Sequence, residues 1–206
     1  VRKACPFGVV ALDFGGVIAE EGFLGALREW GAERGLDPEA VARAGEEAVY
    51  GTGYLEGTAD EAAFRRDFFR RLGIREDPEE ADRLRERILA AFVVRPEMLA
   101  LSDRLRAAGL RTVIASDQTD WLEELDRRHR FYARFDRVFN SFRLGVCKRS
   151  PEFFLRMARE MGVPTGAILF TDDRRGNVEV ARSTGCDAIL FEDPRAFEAA
   201  LFERGI

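Results

Sequence analysis

Five short apolar runs rich in β-branched or aromatic residues constrain the fold more than any other feature of the chain. They are "GVVALDF" (8–14), "RTVIASD" (111–117), "RVFNS" (137–141), "AILFTDD" (167–173) and "DAILF" (187–191). Most lack a clear apolar–polar alternation, which is the pattern of strands covered on both faces in a parallel sheet. "RVFNS" carries the weakest strand pattern of the five. Helical patterns with clear punctuation lie between the runs. "RPEMLALSDRLRAAG" ends at Gly109, and "SPEFFLRMAREMG" opens with Ser150 and Pro151 and stops at Gly162. "DPRAFEAALF" opens the same way with Asp193 and Pro194. From residue 95 onward, strands and helices alternate, which predicts an α/β domain.

Residues 19–94 break that alternation. They hold four helical patterns and no strand: "EGFLGALREWGAERG", "PEAVARAGEEAVY", "TADEAAFRRDFFRRLG" and "DPEEADRLRERILAAF". Thr58 and Glu61 have capping-box spacing, and Asp77 with Pro78 opens the last helix. An all-helical segment is therefore inserted just after the first strand. Ligands of open α/β sheets sit beyond the carboxyl ends of the strands, so the insertion is placed as a lid.

Composition narrows the function classes. A formal charge of −5 over 206 residues argues against nucleic acid or an anionic membrane as the main partner. Arg2 and Lys3 before an apolar run imitate a secretory leader, but Asp13 interrupts the run and no small-residue cleavage site follows. Cys5, Cys147 and Cys186 are scattered and odd in number, against a disulfide framework or a CxxC metal knuckle, so a cytoplasmic protein is expected. His129, the only histidine, sits in "RRHRFYARF" at an expected exposed helix end, which leaves triads and histidine-rich metal sites without parts. "GTGYLEG" (51–57) falls between helices with no strand before it, so its glycines make a turn, although Tyr54 and Glu56 could face a ligand. In "FRRDFFRR", Phe64 and Phe68 are expected inward and the arginines in water.

Four features stand at or just after strand ends: Asp13, Ser116 with Asp117, Lys148, and Asp172 with Asp173. Each has an ordinary reading alone. An acid after a strand caps the next helix, a serine makes a turn, a lysine is solvated, and Gly15 and Gly16 simply turn the chain after Asp13. Together they read differently, because a sheet gathers its strand ends into one crevice. Carboxylates from two strands suit Mg²⁺, and a lysine supplies a point charge for a phosphoryl group. A hydroxyl adds a donor, and Gly16 lets the backbone approach a ligand. The set is a phosphoryl-transfer site working through an aspartyl-phosphate.

Over nearly its whole length the chain resembles the haloacid dehalogenase-like superfamily. The four motifs appear in order as "LDFGGVI", "IASD", the lysine of "LGVCKRSPEFF", and "LFTDDRRGN". The resemblance implies a Rossmann-like parallel sheet flanked by helices (1–18 and 93–206) with a four-helix cap (19–92). It implies that Asp13 is the nucleophile and a Mg²⁺ ligand, with the Gly15 carbonyl and Asp173 as further ligands and Asp172 acting through water. Ser116 then binds the phosphoryl group, Lys148 bridges it and Asp13, and Asn177 supports the site. Within the superfamily the chain is most similar to phosphatases like the N-terminal domain of soluble epoxide hydrolases and to sugar-phosphate phosphatases.

Three positions depart from that pattern. Gly15 stands where phosphatases of this superfamily usually carry a second aspartate, the general acid and base. Asp117 stands where asparagine is common, beside the expected phosphate. Arg149 replaces a common proline after Lys148. The expected activity is Mg²⁺-dependent hydrolysis of a small phosphorylated metabolite by a monomer or homodimer. The alternatives are a binding or regulatory domain that has lost its acid, and a 2-haloacid dehalogenase, against which the Asp172–Asp173 pair speaks. A phosphonatase would need a cap lysine, and residues 19–92 contain none.

Overall fold

The computed structural model describes residues 6–206; Arg2, Lys3 and Cys5, used above for the leader and cysteine readings, lie outside them. All five expected strands form. β1 (Val9–Leu12) is followed by α1 (Phe23–Glu33), α2 (Pro38–Gly51), α3 (Glu61–Arg71) and α4 (Pro78–Ala91). Then come α5 (Pro96–Ala107), β2 (Arg111–Ser116), α6 (Trp121–His129), β3 (Arg137–Asn140), the short α7 (Ser141–Leu144) and α8 (Pro151–Met161). The chain closes with β4 (Ile168–Asp172), α9 (Arg175–Ser183), β5 (Asp187–Leu190) and α10 (Pro194–Glu203).

The strands make one parallel sheet in the order β3-β2-β1-β4-β5. β1 lies at its centre and is covered on both faces, which is why its sequence is apolar without a break. Val9 and Ala11 pack with Phe153, Met157 and Val178 on one side. Val10 and Leu12 pack with Met98, Leu105, Leu122 and Leu201 on the other. Leu12 pairs with Ile114 of β2 and with Thr171 of β4. That register brings Asp13, Ser116 and Asp172 out of the sheet at nearly one level. Chain direction across the sheet reverses at β1, where β2 lies on one side and β4 on the other, so these residues surround a topological switch point.

Helices α1 to α4 sit over that edge, and α6 ties them to the sheet. Trp121, the first residue of α6, packs edge-on against Tyr54 and Phe64, with centroids 6.0 Å from each. Its indole N–H donates to Glu61 Oε2 at 2.7 Å. The Tyr54 hydroxyl donates to Asp120 Oδ1. Phe64 and Phe68 are buried as expected, and Phe69 joins them. Arg65 is only partly in water, held by Glu76 and Asp82 at 3.0 and 2.7 Å. Among the described residues no helix is long and apolar enough to cross a membrane.

One capping expectation fails. Thr58 and Glu61 make no capping box: the Thr58 hydroxyl donates to the Gly53 carbonyl within the turn before α3. Asp60 stands immediately before the first helical residue and accepts from Ala63 N–H at 2.8 Å. Glu61, inside the helix, is thereby free to reach Trp121. Asp77 does cap α4, accepting from Glu79 and Glu80 N–H. The Asp60→Ala variant should lose about 0.5–2 kcal/mol of stability. Thr58→Ala should lose visibly less in the same urea titration; the reverse order would restore the capping box.

Candidate active site

Asp13 is buried, and its Oδ1 collects three donors. Phe14 N–H lies at 2.7 Å, the Ser116 hydroxyl at 2.9 Å and Lys148 Nζ at 2.8 Å. Among the described residues none donates to Oδ2. Lys148, only 1% exposed, also reaches Asp172 Oδ2 at 2.6 Å, so one ammonium joins the ends of β1 and β4. Asp172 is fully occupied. Its Oδ2 also accepts from Asn177 Nδ2 at 3.0 Å, and its Oδ1 accepts from Arg174 N–H at 2.7 Å. Asn177, on the first turn of α9, thus holds Asp172.

The charges are unequal in their fates. Burial pushes the Asp13 carboxyl well above the usual carboxylate range; Lys148 only partly opposes this, and Asp172 and Asp173 add to it. Burial likewise works against the charge on Lys148, but Asp13, Asp172 and Asp117 outweigh it and hold the ammonium above its usual value. For Asp172, Lys148 overcomes burial and the carboxyl is pulled down. Asp173, at the rim, is raised by partial burial and by Asp172. Three carboxylates facing one ammonium leave the cluster short of positive charge.

Those carboxylates fit a divalent cation. Asp13, Asp172 and Asp173 each place an oxygen within 4.8 Å of the others. The Gly15 carbonyl accepts no hydrogen bond among the described residues. An all-oxygen set with room for water suits a hard cation such as Mg²⁺. Gly16 contributes by lacking a side chain: its φ is +86°, and a Cβ there would stand 2.3 Å from Asp173 Oδ2. Its backbone is also tied into the loop. Gly16 N–H donates to the Ala19 carbonyl at 2.8 Å, and its own carbonyl accepts from Arg95 at 2.6 Å, so the loop uses both. At Gly15 a Cβ would make ordinary contacts, Phe92 at 3.4 Å and Gln118 at 3.7 Å, so no crowding forbids a larger residue.

These groups open into a cleft of about 720 Å³, including space continuous with solvent. Its core wall holds Asp13, Ser116, Asp117, Lys148, Asp173 and Asn177. Asp117 Oδ1 accepts from Lys148 N–H at 2.8 Å. The opposite wall comes from the inserted helices and includes Glu46, Val49, Tyr50 and Phe23. Sequence reasoning missed them. Tyr54 and Glu56, suggested in their place, lie elsewhere: Tyr54 is fully buried against Asp120, and Glu56 borders a separate groove with Cys147 and Arg149. The spacing of Glu46, Val49 and Tyr50 along α2 was the available signal, since i, i+3 and i+4 share one helix face. Arg174 and Arg149 reach across to that face. Arg174 pairs with Glu46 at 3.0 Å, and the Arg149 guanidinium lies 3.4 Å from the Tyr50 ring centroid.

Residues 7–185 match the family model described as haloacid dehalogenase-like hydrolase, and the chain belongs to that family. A HAD-like family hydrolase from Porphyromonas gingivalis superimposes with a TM-score of 0.70 at 22% identity, covering 96% of this chain and 97% of that one. A HAD family enzyme of Bacteroides thetaiotaomicron, in complex with magnesium and inorganic phosphate, gives 0.69 at 17% identity over 91% and 96% of the two chains. L-2-haloacid dehalogenase from Xanthobacter autotrophicus, with chloropropionic acid covalently bound, gives 0.68 at 16% identity over 96% and 83%. At such identities the likeness is one of fold. The drimenol cyclase of Aspergillus calidoustus is 30% identical over 87 residues, 42% of this chain. The chain spans 16% of that protein's length.

Two outcomes follow from the charge balance. A carboxyl whose folded pKa is raised favours folding only while protonated, and that support is lost as pH rises through the folded value. Metal-free Asp13→Asn should therefore be more stable than the parent at pH 7, with the difference vanishing below the ordinary value of 3.8. Thermal melts without metal check this, and lower stability of the variant at pH 7 would contradict it. Lys148→Met strands two buried carboxylates and should cost about 3–5 kcal/mol.

Proposed function

We propose that this haloacid dehalogenase-like hydrolase is a Mg²⁺-dependent phosphatase acting on a small phosphorylated metabolite. The observation that carries the reading is the bridge of Lys148 between Asp13 and Asp172, with the Ser116 hydroxyl on the same Asp13 oxygen. A buried carboxylate flanked by an ammonium and a hydroxyl is placed to attack phosphorus while two donors stand ready for the phosphoryl oxygens. The magnesium and phosphate bound by the Bacteroides enzyme are the matching chemistry on the same fold.

In this reading the Asp13 carboxylate attacks in line and becomes an aspartyl-phosphate, and Ser116 and Lys148 hold the transferring group. Mg²⁺, held by Asp13, the Gly15 carbonyl and Asp173, supplies the positive charge the cluster lacks. Asn177 and Arg174 N–H keep Asp172 turned toward Lys148. The cleft wall of Glu46, Tyr50 and Phe23 meets the alcohol portion of the ester. Partial sequestration by the inserted helices strengthens every electrostatic contact inside.

Phosphate release from a panel of small esters tests the reading. Activity should require Mg²⁺, vanish with EDTA and fall at least about 1,000-fold in Asp13→Asn, the order of loss expected for a removed nucleophile. Activity that survives either treatment contradicts the mechanism, and metal-independent halide release from a 2-haloacid would select the dehalogenase. Binding has its own readout. At 100 times its dissociation constant, Mg²⁺ should stabilise the protein by about 2.7 kcal/mol. Asp173→Asn should lose most of that shift in melting temperature.

A further inference from the structure

Gly15 leaves the phosphatase reading without a proton donor where the family usually places one. A second acid lies in the same cleft. Among the described residues, Asp117 Oδ2 is the single buried side-chain polar atom without a hydrogen-bond partner. Its companion Oδ1 is fixed by Lys148 N–H at 2.8 Å, so the carboxyl cannot rotate away to seek solvent without breaking that bond. Asp117 directly follows Ser116, whose hydroxyl touches the nucleophile, and it lines the cleft with Asp13, Lys148 and Asp173.

A sealed carboxylate oxygen with no donor is costly, and a phosphoryl group offers it acceptors only. The protonated form resolves both problems, because a turn of the carboxyl that keeps Oδ1 on Lys148 N–H brings an O–H on Oδ2 to an oxygen of the ester. Burial holds the Asp117 carboxyl above the usual range despite Lys148, in the same direction.

Resting on the phosphatase reading, we propose that Asp117 is the general acid and base of this enzyme, carrying on Oδ2 the proton that Gly15 cannot supply. As Asp13 bonds to phosphorus and the P–O bond to the alcohol breaks, the Oδ2 proton passes to the leaving oxygen and the alcohol departs neutral. Asp117 is then a carboxylate. It takes a proton from the water that attacks the aspartyl-phosphate, which frees Asp13 and inorganic phosphate and restores the Asp117 acid. Ester and water are consumed, alcohol and phosphate are formed, and the enzyme is unchanged.

Asp117→Asn keeps the shape and loses the proton. With an alkyl phosphate such as glycerol phosphate, its turnover should fall about 100- to 10,000-fold, the range for a lost general acid. With 4-nitrophenyl phosphate, whose leaving group needs no proton, the variant should still release a stoichiometric burst of nitrophenolate. Its steady state should then be slow, with phosphoenzyme accumulating in intact-mass spectra of acid-quenched samples. The burst also shows that the variant folds. Undiminished alkyl phosphate turnover overturns the proposal. So does an equal loss of burst and turnover, or a loss confined to KM for hydroxylated esters, which would make Asp117 an acceptor for a substrate hydroxyl. A parent enzyme that releases no phosphate from either ester removes the phosphatase reading itself, and this proposal with it.

Discussion

The site depends on one buried cation. Lys148, sealed from solvent, holds Asp13 and Asp172 at 2.8 and 2.6 Å and so fastens the ends of β1 and β4 to the loop before α8. Burying an ammonium is unfavourable unless its partners are close and otherwise satisfied. Here they are: Ser116 and Phe14 N–H complete Asp13 Oδ1, and Asn177 and Arg174 N–H complete Asp172. With three carboxylates against one ammonium the arrangement stays two charges short, Asp13 and Asp173 are both raised, and a divalent cation would balance that deficit.

The inserted helices are set by a different kind of contact. Trp121 rises from the core into a cluster with Tyr54, Phe64 and Phe23; the bond to Glu61 fixes its indole, and the bond to Asp120 fixes Tyr54 beside it. Aromatic packing of this kind fixes how the helices sit over the sheet. Charge adds to this between α4 and α6, where Arg128 pairs with Glu86 at 2.9 Å, and at the mouth of the cleft, where Arg174 meets Glu46 and Arg149 covers Tyr50. Both cleft arginines come from loops that carry site residues, one beside Lys148 and one beside Asp173.

The sheet was legible because its central strands are apolar runs, as a parallel sheet covered on both faces demands, and it was least so at the edge strand β3, "RVFN". The convergence of Asp13, Lys148 and the Asp172–Asp173 pair was legible because strand ends in such a sheet meet whatever the loops do. The rest depends on packing that no local pattern carries. Asp60 rather than Thr58 caps α3 because the helix begins one residue beyond it, a boundary that spacing alone does not set. Tyr50 rather than Tyr54 faces the cleft because Trp121 draws Tyr54 into the interface. Gly16 makes room for Asp173, a residue far away in sequence. The unpaired oxygen of Asp117 has no sequence signature at all; it exists because the Lys148 amide takes the other oxygen.

The account stands on Asp13 becoming covalently phosphorylated. Rapid acid quench of the Mg²⁺-loaded enzyme during turnover of 4-nitrophenyl phosphate, followed by borohydride reduction and peptide mapping, measures that directly. An acyl phosphate at Asp13 would appear as homoserine at position 13, absent when phosphate ester is omitted. Reduction at another carboxylate, or at none while phosphate is being released, would contradict it.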